Sequence, residues 1–259
     1  RDDGALFDAS WIENFAAQLH SDGLSTNTIG FYMKRMRAAC NIAREAGSCL
    51  SDGLFDAVYT GNAQTAKRAI DAEAISRLAR MEPKKPTQQL ARDLFLFSFY
   101  TRGMSFVDMA FLRRSDIQQG ILAYRQHKTG QRLSMAWLPE MEDIIARNHE
   151  EGQPYLLPII KRGVEDERRA FKTMQYRVNY ALKSLGNTLG LPRPLTMYVA
   201  RHSWASIAQA SHVPLPVISA ALGHTSERTT RIYLEAIAAQ RVDEANEQVI
   251  AQIAGNARH

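Results

Sequence analysis

The stretch RHSWASIAQASHVPLPVISAALGHTSERTTRIY, residues 201–233, decides both the fold assignment and the predicted chemistry of this chain. It opens with Arg201, has His224 23 positions later, and ends with Tyr233 nine positions beyond that histidine. An arginine binds two phosphate oxygens with its rigid fork and stays protonated, and a histidine adds a hydrogen-bond donor. A tyrosine supplies a phenol nucleophile when cations lower its pKa. The stretch therefore predicts a site that holds a phosphodiester and attacks it.

Each of these residues also has an ordinary structural explanation. Tyr233, between two aliphatic residues, fits a packed aromatic side chain, and Leu222-Gly223-His224 fits the end of a helix. Arg201 and His202 fit a pair of surface residues. The combined order and spacing, rather than any single residue, favours strand transfer on DNA.

The length and the charge of the chain set broad bounds on its class. With 259 residues it exceeds the roughly 100 to 200 residues of a typical single domain, so we expect two domains. It has 32 lysines and arginines against 27 acidic residues, and its isoelectric point is near 9.3. This balance fits a polyanionic partner such as nucleic acid, although charge alone does not decide the point.

The cysteines and the apolar runs indicate the cellular compartment and whether a membrane partner is expected. Cys40 and Cys49 are too few for a disulfide framework and lack zinc-site spacing, which favours a reducing bacterial cytoplasm. The longest apolar run, 94–100, falls far short of the roughly 20 residues of a membrane helix, so we expect no membrane partner. Because the first residue is Arg1 rather than Met, we expect the sequence to begin inside a longer protein.

Apolar residues repeat with a helical period in two stretches of the N-terminal part. Apolar spacing predicts one helix over 10–20, with Ser10 as its N-cap, and a second over 25–46, capped by Asn27 or Thr26. Turn-forming residues in 51–65 predict an irregular segment that ends the first domain near residue 66. The second helix carries Lys34, Arg35 and Arg37, which fit either a solvated face or a set of phosphate contacts.

The C-terminal part is mainly helical, with one change of period after Asp116. Short runs at 121–126 and 133–138 predict a β-hairpin with Lys128 at its tip. There Lys128 can reach a DNA groove and give a proton to a leaving 5′ oxygen. The fold class is therefore mainly α with a small antiparallel β-sheet. Helices are predicted over 71–80, 88–101, 171–189, 196–210 and 216–222.

Taken together, these motifs resemble the tyrosine recombinase, or phage integrase, family. That family has an early arginine, a hairpin lysine, a His-x-x-Arg-His segment, a Leu-Gly-His and a Thr-x-x-Tyr ending. The resemblance covers roughly residues 70–245. The matching residues here are Arg102, Lys128, Arg201-His202, Leu222-Gly223-His224 and Thr230-Arg231-Ile232-Tyr233.

The resemblance implies a domain arrangement and a reaction. Residues 1–65 would form a helical, SAM-like core-binding domain, and residues 66–259 an α+β catalytic domain whose C-terminal helix, 235–253, packs on a neighbouring subunit or on its own domain. The two domains would clamp double-stranded DNA, which is cut and exchanged through a 3′-phosphotyrosine on Tyr233. Similar enzymes act as tetramers on DNA, with a monomer possible when free. They use no metal, nucleotide or other cofactor.

The resemblance also implies roles for individual residues. The catalytic set would be Arg102, Lys128, Arg201, His224 and Tyr233, with Tyr198 and His202 as further members. Phosphate contacts are expected from two basic clusters. Their members are Lys34, Arg35, Arg37, Arg168, Arg169, Lys172 and Arg177.

Two positions depart from the family pattern. Tyr198 stands three residues before Arg201, where the family usually has a histidine, and a phenol donates a hydrogen bond but carries no positive charge. The family usually has its first arginine three residues before an acidic residue, which here corresponds to Asp108. Three residues before Asp108 stands Ser105 instead of an arginine. On a continuous helix Arg102 would lie one turn away on a neighbouring face, unless Gly103 breaks the helix and repositions it. The TRGM and DMAFL segments resemble a branch found in mobile elements and DNA-inversion switches of gut anaerobes.

Two functions from other classes stay open at the level of the sequence. A type IB topoisomerase shares the phosphotyrosine chemistry but relaxes one duplex instead of joining two. A DNA-binding module that has lost catalysis would fit Tyr198 and the displaced Arg102.

Overall fold

A computed structural model of the chain describes residues 7–61, 69–224, 226, 230, 231 and 234. The chain folds into two compact units, Arg1–Ala66 and Lys67–His259. We call these the N-terminal unit and the C-terminal unit, and each is described by itself.

The described residues of the N-terminal unit form two helices, α1 (Ala9–Ser21) and α2 (Thr26–Glu45). The Asp8 side chain caps α1 by accepting a hydrogen bond from the Trp11 amide, and Ser25 caps α2 in the same way. The predicted caps Ser10, and Asn27 or Thr26, are therefore wrong, because in each case a polar residue slightly earlier in the chain makes the bond. Residues 51–61 form turns and bends. The core of this unit comprises Ile12, Ile29, Met33, Cys40, Leu54 and Phe55.

The described part of the C-terminal unit is built around one buried helix, α4, which packs against α3, α6, α7 and α8. Its side chains Leu94, Phe95 and Phe97 are fully buried. This helix begins at Pro86, two residues before the predicted start, because proline fits the first turn of a helix. The helices are α3 (Ala72–Arg80), α4 (Pro86–Tyr100), α5 (Phe106–Ala110), α6 (Pro139–Asn148), α7 (Glu167–Thr188), α8 (Met197–Ala210) and α9 (Leu215–Leu222).

A three-stranded antiparallel sheet follows α5 in the described residues. Its strands β1 (Ile117–Gln118), β2 (Ile121–Arg125) and β3 (Arg132–Ala136) lie in chain order, and Arg125 pairs with Arg132 at the end of the β2–β3 hairpin. The predicted hairpin and the mainly α fold class with a small antiparallel sheet are confirmed. The short elements α5, α6 and β1 were not predicted. Within the described part of the chain, no helix combines the length and apolar character needed to cross a membrane.

Candidate active site

Several described segments of the C-terminal unit meet around a cavity of about 550 Å³. They are the α4–α5 loop with α5, the β2–β3 turn, the first half of α7, the first turns of α8, and the residues that follow α9. Four residues predicted from the sequence line it: Lys128, Tyr198, Arg201 and His224. The fold thus brings together side chains that lie up to 96 positions apart in the chain.

Arg201, on α8, is held by three acceptors. Its Nη1 donates to the Gly103 carbonyl at 3.2 Å, and its Nη2 donates to the Leu222 carbonyl. The same Nη2 lies 3.2 Å from His224 Nε2, and since a guanidinium has no acceptor, the arginine must donate there. The guanidinium is thereby fixed at the cavity wall, with its charge towards a space that suits an anion.

His224 receives a defined tautomer from these contacts. Its Nε2 accepts from Arg201, and its Nδ1 lies 2.7 Å from the Thr230 hydroxyl, which donates onward to Ser219 Oγ at 2.9 Å. Burial lowers the pKa of His224 below its usual 6.5, and the charges of Arg201 and Lys128 lower this pKa further. The imidazole is therefore neutral at pH 7, with its proton on Nδ1.

Lys128 lies exposed in the turn between β2 and β3. The turn is closed by two backbone hydrogen bonds, Gln126 to Gln131 and Gly130 to Gln126, each 2.8 Å long. Gln126 is buried: its Nε2 donates to the Leu222 carbonyl at 3.3 Å, and its Oε1 accepts from the Thr129 hydroxyl. Gln126 thus joins the lysine turn to the carbonyl that Arg201 also contacts. Sequence reasoning missed this residue, because no local pattern marks a glutamine that pairs with a carbonyl 96 positions away.

Arg102 is not among the described residues that line the cavity. Helix α4 ends at Tyr100, and both Arg102 (φ 61°) and Gly103 (φ 78°) are left-handed, so the continuous helix considered for this segment is wrong and the break at Gly103 is present. Arg102 Nη1 lies 3.5 Å from the Ser134 carbonyl on β3. Burial raises the pKa of the nearby Tyr124, and Arg201 and Arg102 both oppose that rise. Arg102 therefore lies beside the site, against the sheet.

Tyr198 and His202 form a ring pair one turn apart on α8, with centroids 4.3 Å apart and nearly perpendicular planes. Tyr198 is 58% exposed and lines the cavity, where its hydroxyl can donate to an anion. His202 is half-buried and is not among the described lining residues. Of these two described rings, Tyr198 alone lines the cavity.

Tyr233 and the predicted C-terminal helix, 235–253, lie outside the described residues. Between His224 and residue 235 the structure describes Ser226, Thr230, Arg231 and Leu234. Thr230 and Leu234 are buried. Leu234 packs in a small cluster with Ala205, Ala208, Ile218 and Leu222.

The predicted DNA-contacting residues lie on two helices. On α2, the Arg35 guanidinium is 5.3 Å from the centroid of the Phe31 ring, and Arg37 Nη1 donates to the Thr60 hydroxyl at 3.1 Å. Lys34 is half-buried on the same helix. The α7 group is exposed and consists of Arg168, Arg169, Lys172 and Arg177.

The sequence profile of the Phage integrase family matches residues 68–240, and the chain belongs to this family. The family predicted from the motifs is thereby confirmed. A curated relative, the tyrosine recombinase XerA of Pyrococcus furiosus (strain ATCC 43587 / DSM 3638 / JCM 8422 / Vc1), is 26% identical over 191 residues. That match covers 71% of this chain and 63% of the relative, so the chain spans less than two thirds of the length of this protein.

Solved structures show the same fold. A lambda integrase dimer bound to a COC′ core site has a TM-score of 0.64 at 16% identity, covering 87% of this chain and 79% of that chain. The Tn1549 transposon integrase in complex with a circular intermediate DNA has a TM-score of 0.67 at 15% identity, and the match covers 92% of this chain and 85% of that chain. The XerH site-specific recombinase bound to a palindromic difH substrate has a TM-score of 0.64 at 17% identity, and the match covers 92% of this chain and 71% of that chain.

Proposed function

We propose that this protein is a site-specific DNA recombinase that cuts and rejoins DNA strands through a 3′-phosphotyrosine on Tyr233. The observation that carries the proposal is the convergence of Lys128, Arg201 and His224 on one cavity in a chain of the Phage integrase family. Its substrate would be double-stranded DNA, exchanged between two sites for integration, excision or inversion. As the chain resembles proteins crystallised on DNA as dimers and as a tetramer, we further propose a homo-tetramer on DNA.

Lys128, Arg201 and His224 would each act on the phosphodiester together with Tyr233. Tyr233 Oη attacks the phosphorus, the bond from phosphorus to the 5′ oxygen breaks, and Lys128 Nζ gives that oxygen a proton. The phenol proton passes to Nε2 of neutral His224, whose lone pair becomes available when Arg201 turns from it to the phosphate oxygens. Arg201 stabilises the negative charge that develops on the non-bridging oxygens. The reverse step, with the 5′ hydroxyl of a partner strand, joins the exchanged DNA and regenerates the phenol.

Further residues would contribute to holding the phosphate and the duplex. Tyr198 would donate a hydrogen bond to a phosphate oxygen in place of the family's histidine, with His202 behind it. Arg102 would supply the second arginine after moving from its position near Ser134. The N-terminal unit would act as the core-binding domain and the C-terminal unit as the catalytic domain. Phosphate contacts would come from Lys34, Arg35, Arg37, Arg168, Arg169, Lys172 and Arg177.

Covalent capture on nicked DNA tests this function. A library of duplexes with randomised cores and a nick beside the core loses its short 5′-hydroxyl fragment after cleavage, so an adduct accumulates and survives denaturation. We expect the full chain and Tyr59→Phe to form the adduct and Tyr233→Phe to form none. An adduct that persists in Tyr233→Phe, or none with the full chain, would falsify the proposal. Exchange between two copies of the recovered duplex separates recombination from relaxation of one duplex.

A further inference from the structure

The turn that carries Lys128 is anchored at His127 by a buried carboxylate on α5. Asp108 Oδ1 accepts from the His127 backbone amide at 2.8 Å and lies 3.1 Å from His127 Nδ1. Asp108 Oδ2 accepts from the Ser105 hydroxyl at 2.6 Å. The Asp108 side chain is 4% exposed, so it depends on these donors for its stability in the fold.

The His127 ring is fixed on a second side by an aromatic contact. Its centroid is 4.9 Å from that of Phe111, which lies directly after α5, with 31° between the ring planes. Since a carboxylate accepts and does not donate, Nδ1 of the imidazole carries the proton. The ring thus joins the hairpin to α5 by one charge-assisted hydrogen bond and one packing contact.

This attachment matters because of the residue that follows it. Lys128 has a flexible side chain of four carbons, and its turn is tied to the rest of the unit mainly by its neighbours Gln126 and His127. A general acid must lie within hydrogen-bond reach of the leaving oxygen, and misplacement by about 1 Å costs up to about 100-fold in rate. The position of the Lys128 backbone therefore affects proton transfer directly.

We propose that His127, held by Asp108, is a positioning residue that places Lys128 against the leaving 5′ oxygen. This inference rests on the proposed function, in which Lys128 is the acid. A purely structural role for the pair would change stability without any selective effect on protonation of the leaving group. Changing the leaving atom distinguishes the positioning role from the purely structural role, because only the positioning role depends on protonation of that atom.

The experiment replaces the leaving oxygen by sulfur. The duplex recovered by covalent capture is prepared with its normal 5′ oxygen and with a 5′-bridging phosphorothiolate at the cleaved bond. A thiol has a pKa near 8.5 and leaves without being protonated, so loss of the acid no longer slows cleavage. Single-turnover adduct formation is measured on both duplexes for each variant.

The variants separate the hydrogen bond from the ring contact. On the oxygen duplex we expect Lys128→Ala to be about 10²- to 10⁴-fold slower than the unmodified protein and His127→Ala to be about 10- to 100-fold slower. On the sulfur duplex both variants should form the adduct within about threefold of the rate of the unmodified protein, since no acid is needed there. His127→Asn retains a donor to Asp108 and should stay near the original rate on both duplexes. His149→Asn, a histidine at the end of α6, is the matched control and should also stay near that rate.

Each outcome decides the proposal. The positioning role is overturned if His127→Ala slows adduct formation equally on the oxygen and sulfur duplexes, or does not slow it on the oxygen duplex. If the sulfur duplex still rescues Lys128→Ala in that case, the proposed function stands. If sulfur does not rescue Lys128→Ala, the acid role of Lys128 and this inference both fail. Thermal unfolding verifies that the variants fold. Should His127→Ala not fold, His127→Phe, which retains a ring against Phe111 but has no donor for Asp108, takes its place under the same criteria.

Discussion

A β-carbon on Gly103 would lie 2.6 Å from the Cα, Cβ and Cγ atoms of Arg201, well inside van der Waals contact. The loop after α4 therefore touches α8 at the arginine itself, and the Gly103 carbonyl accepts from Arg201 Nη1 at 3.2 Å. Gly103 also has φ +78°, a conformation that L side chains rarely adopt. This one glycine both orients the guanidinium and leaves room for the Arg201 backbone.

We expect Gly103→Ala to disturb the candidate active site beyond its effect on the loop. The left-handed conformation alone costs about 1–2 kcal/mol for a residue with a β-carbon, and the clash must displace Arg201. Adduct formation should fall about 100-fold or more. The matched control is Gly120→Ala, which has φ +73° but no atom within 4 Å of its added β-carbon. Equal rates for the two variants, at similar thermal stability, would contradict the role of the close approach.

Arg201→Lys retains the positive charge but loses the fork that contacts Gly103, Leu222 and His224. We expect adduct formation to fall by about 10²- to 10³-fold, because one ammonium cannot replace the planar set of donors. DNA affinity at a fixed salt concentration should change little, because the charge is conserved. Single-turnover cleavage and a binding titration on the same duplex measure the two effects. Cleavage near the original rate in Arg201→Lys would show that charge alone suffices.

Much of the fold could be predicted because local patterns produce it. The apolar period of α2, α7 and α8 follows from burial of one helix face, and the β2–β3 hairpin follows from two short runs around a turn. Arg201 and His224 could be assigned to one site by their spacing and by the family resemblance. These predictions needed no knowledge of which distant segments pack together.

The rest depends on tertiary contacts that a sequence pattern does not record. Arg102 adopts a left-handed φ of 61° although it has a β-carbon, so the break after α4 was open to two interpretations. Gln126 and Leu222 are partners across 96 positions, and Arg201 and Gly103 across 98. Helix α5 has five residues, too few for an apolar period, and is capped by Ser105.

The pKa of His224 should be measurably lower than that of an ordinary histidine. We expect an NMR titration of its imidazole to give a value below 6.5, and Arg201→Gln to raise the pKa, because one source of repulsion is removed while burial stays. The exposed Arg193→Gln is the control and should leave the pKa unchanged. Since the unfolded chain takes up this proton near pH 6.5 and the folded chain only at lower pH, the His224 contribution to stability is full above 6.5. It declines as the pH falls towards the folded pKa, and an unchanged pKa in Arg201→Gln would argue against coupling between the two residues.

Thr230 accepts the hydrogen bond from Nδ1 of His224 and so holds its ring, which means that the hydroxyl should matter more than the shape of the side chain. The residue is fully buried, with its oxygen 2.7 Å from His224 Nδ1 and 2.9 Å from Ser219 Oγ. Thr230→Val retains the volume but leaves the Nδ1 proton and the serine without this partner, which should cost about 1–3 kcal/mol of unfolding free energy. The imidazole retains its contact with Arg201 at Nε2 but loses the Thr230 contact at Nδ1. Its ring is then held less firmly, and we expect slower adduct formation as well. Thr230→Ser retains the hydroxyl and should preserve the rate, although it loses a buried methyl group. Denaturant unfolding and single-turnover cleavage together test this, and a Thr230→Val protein that cleaves like Thr230→Ser would show that the hydrogen bond between His224 and Thr230 does not limit the reaction.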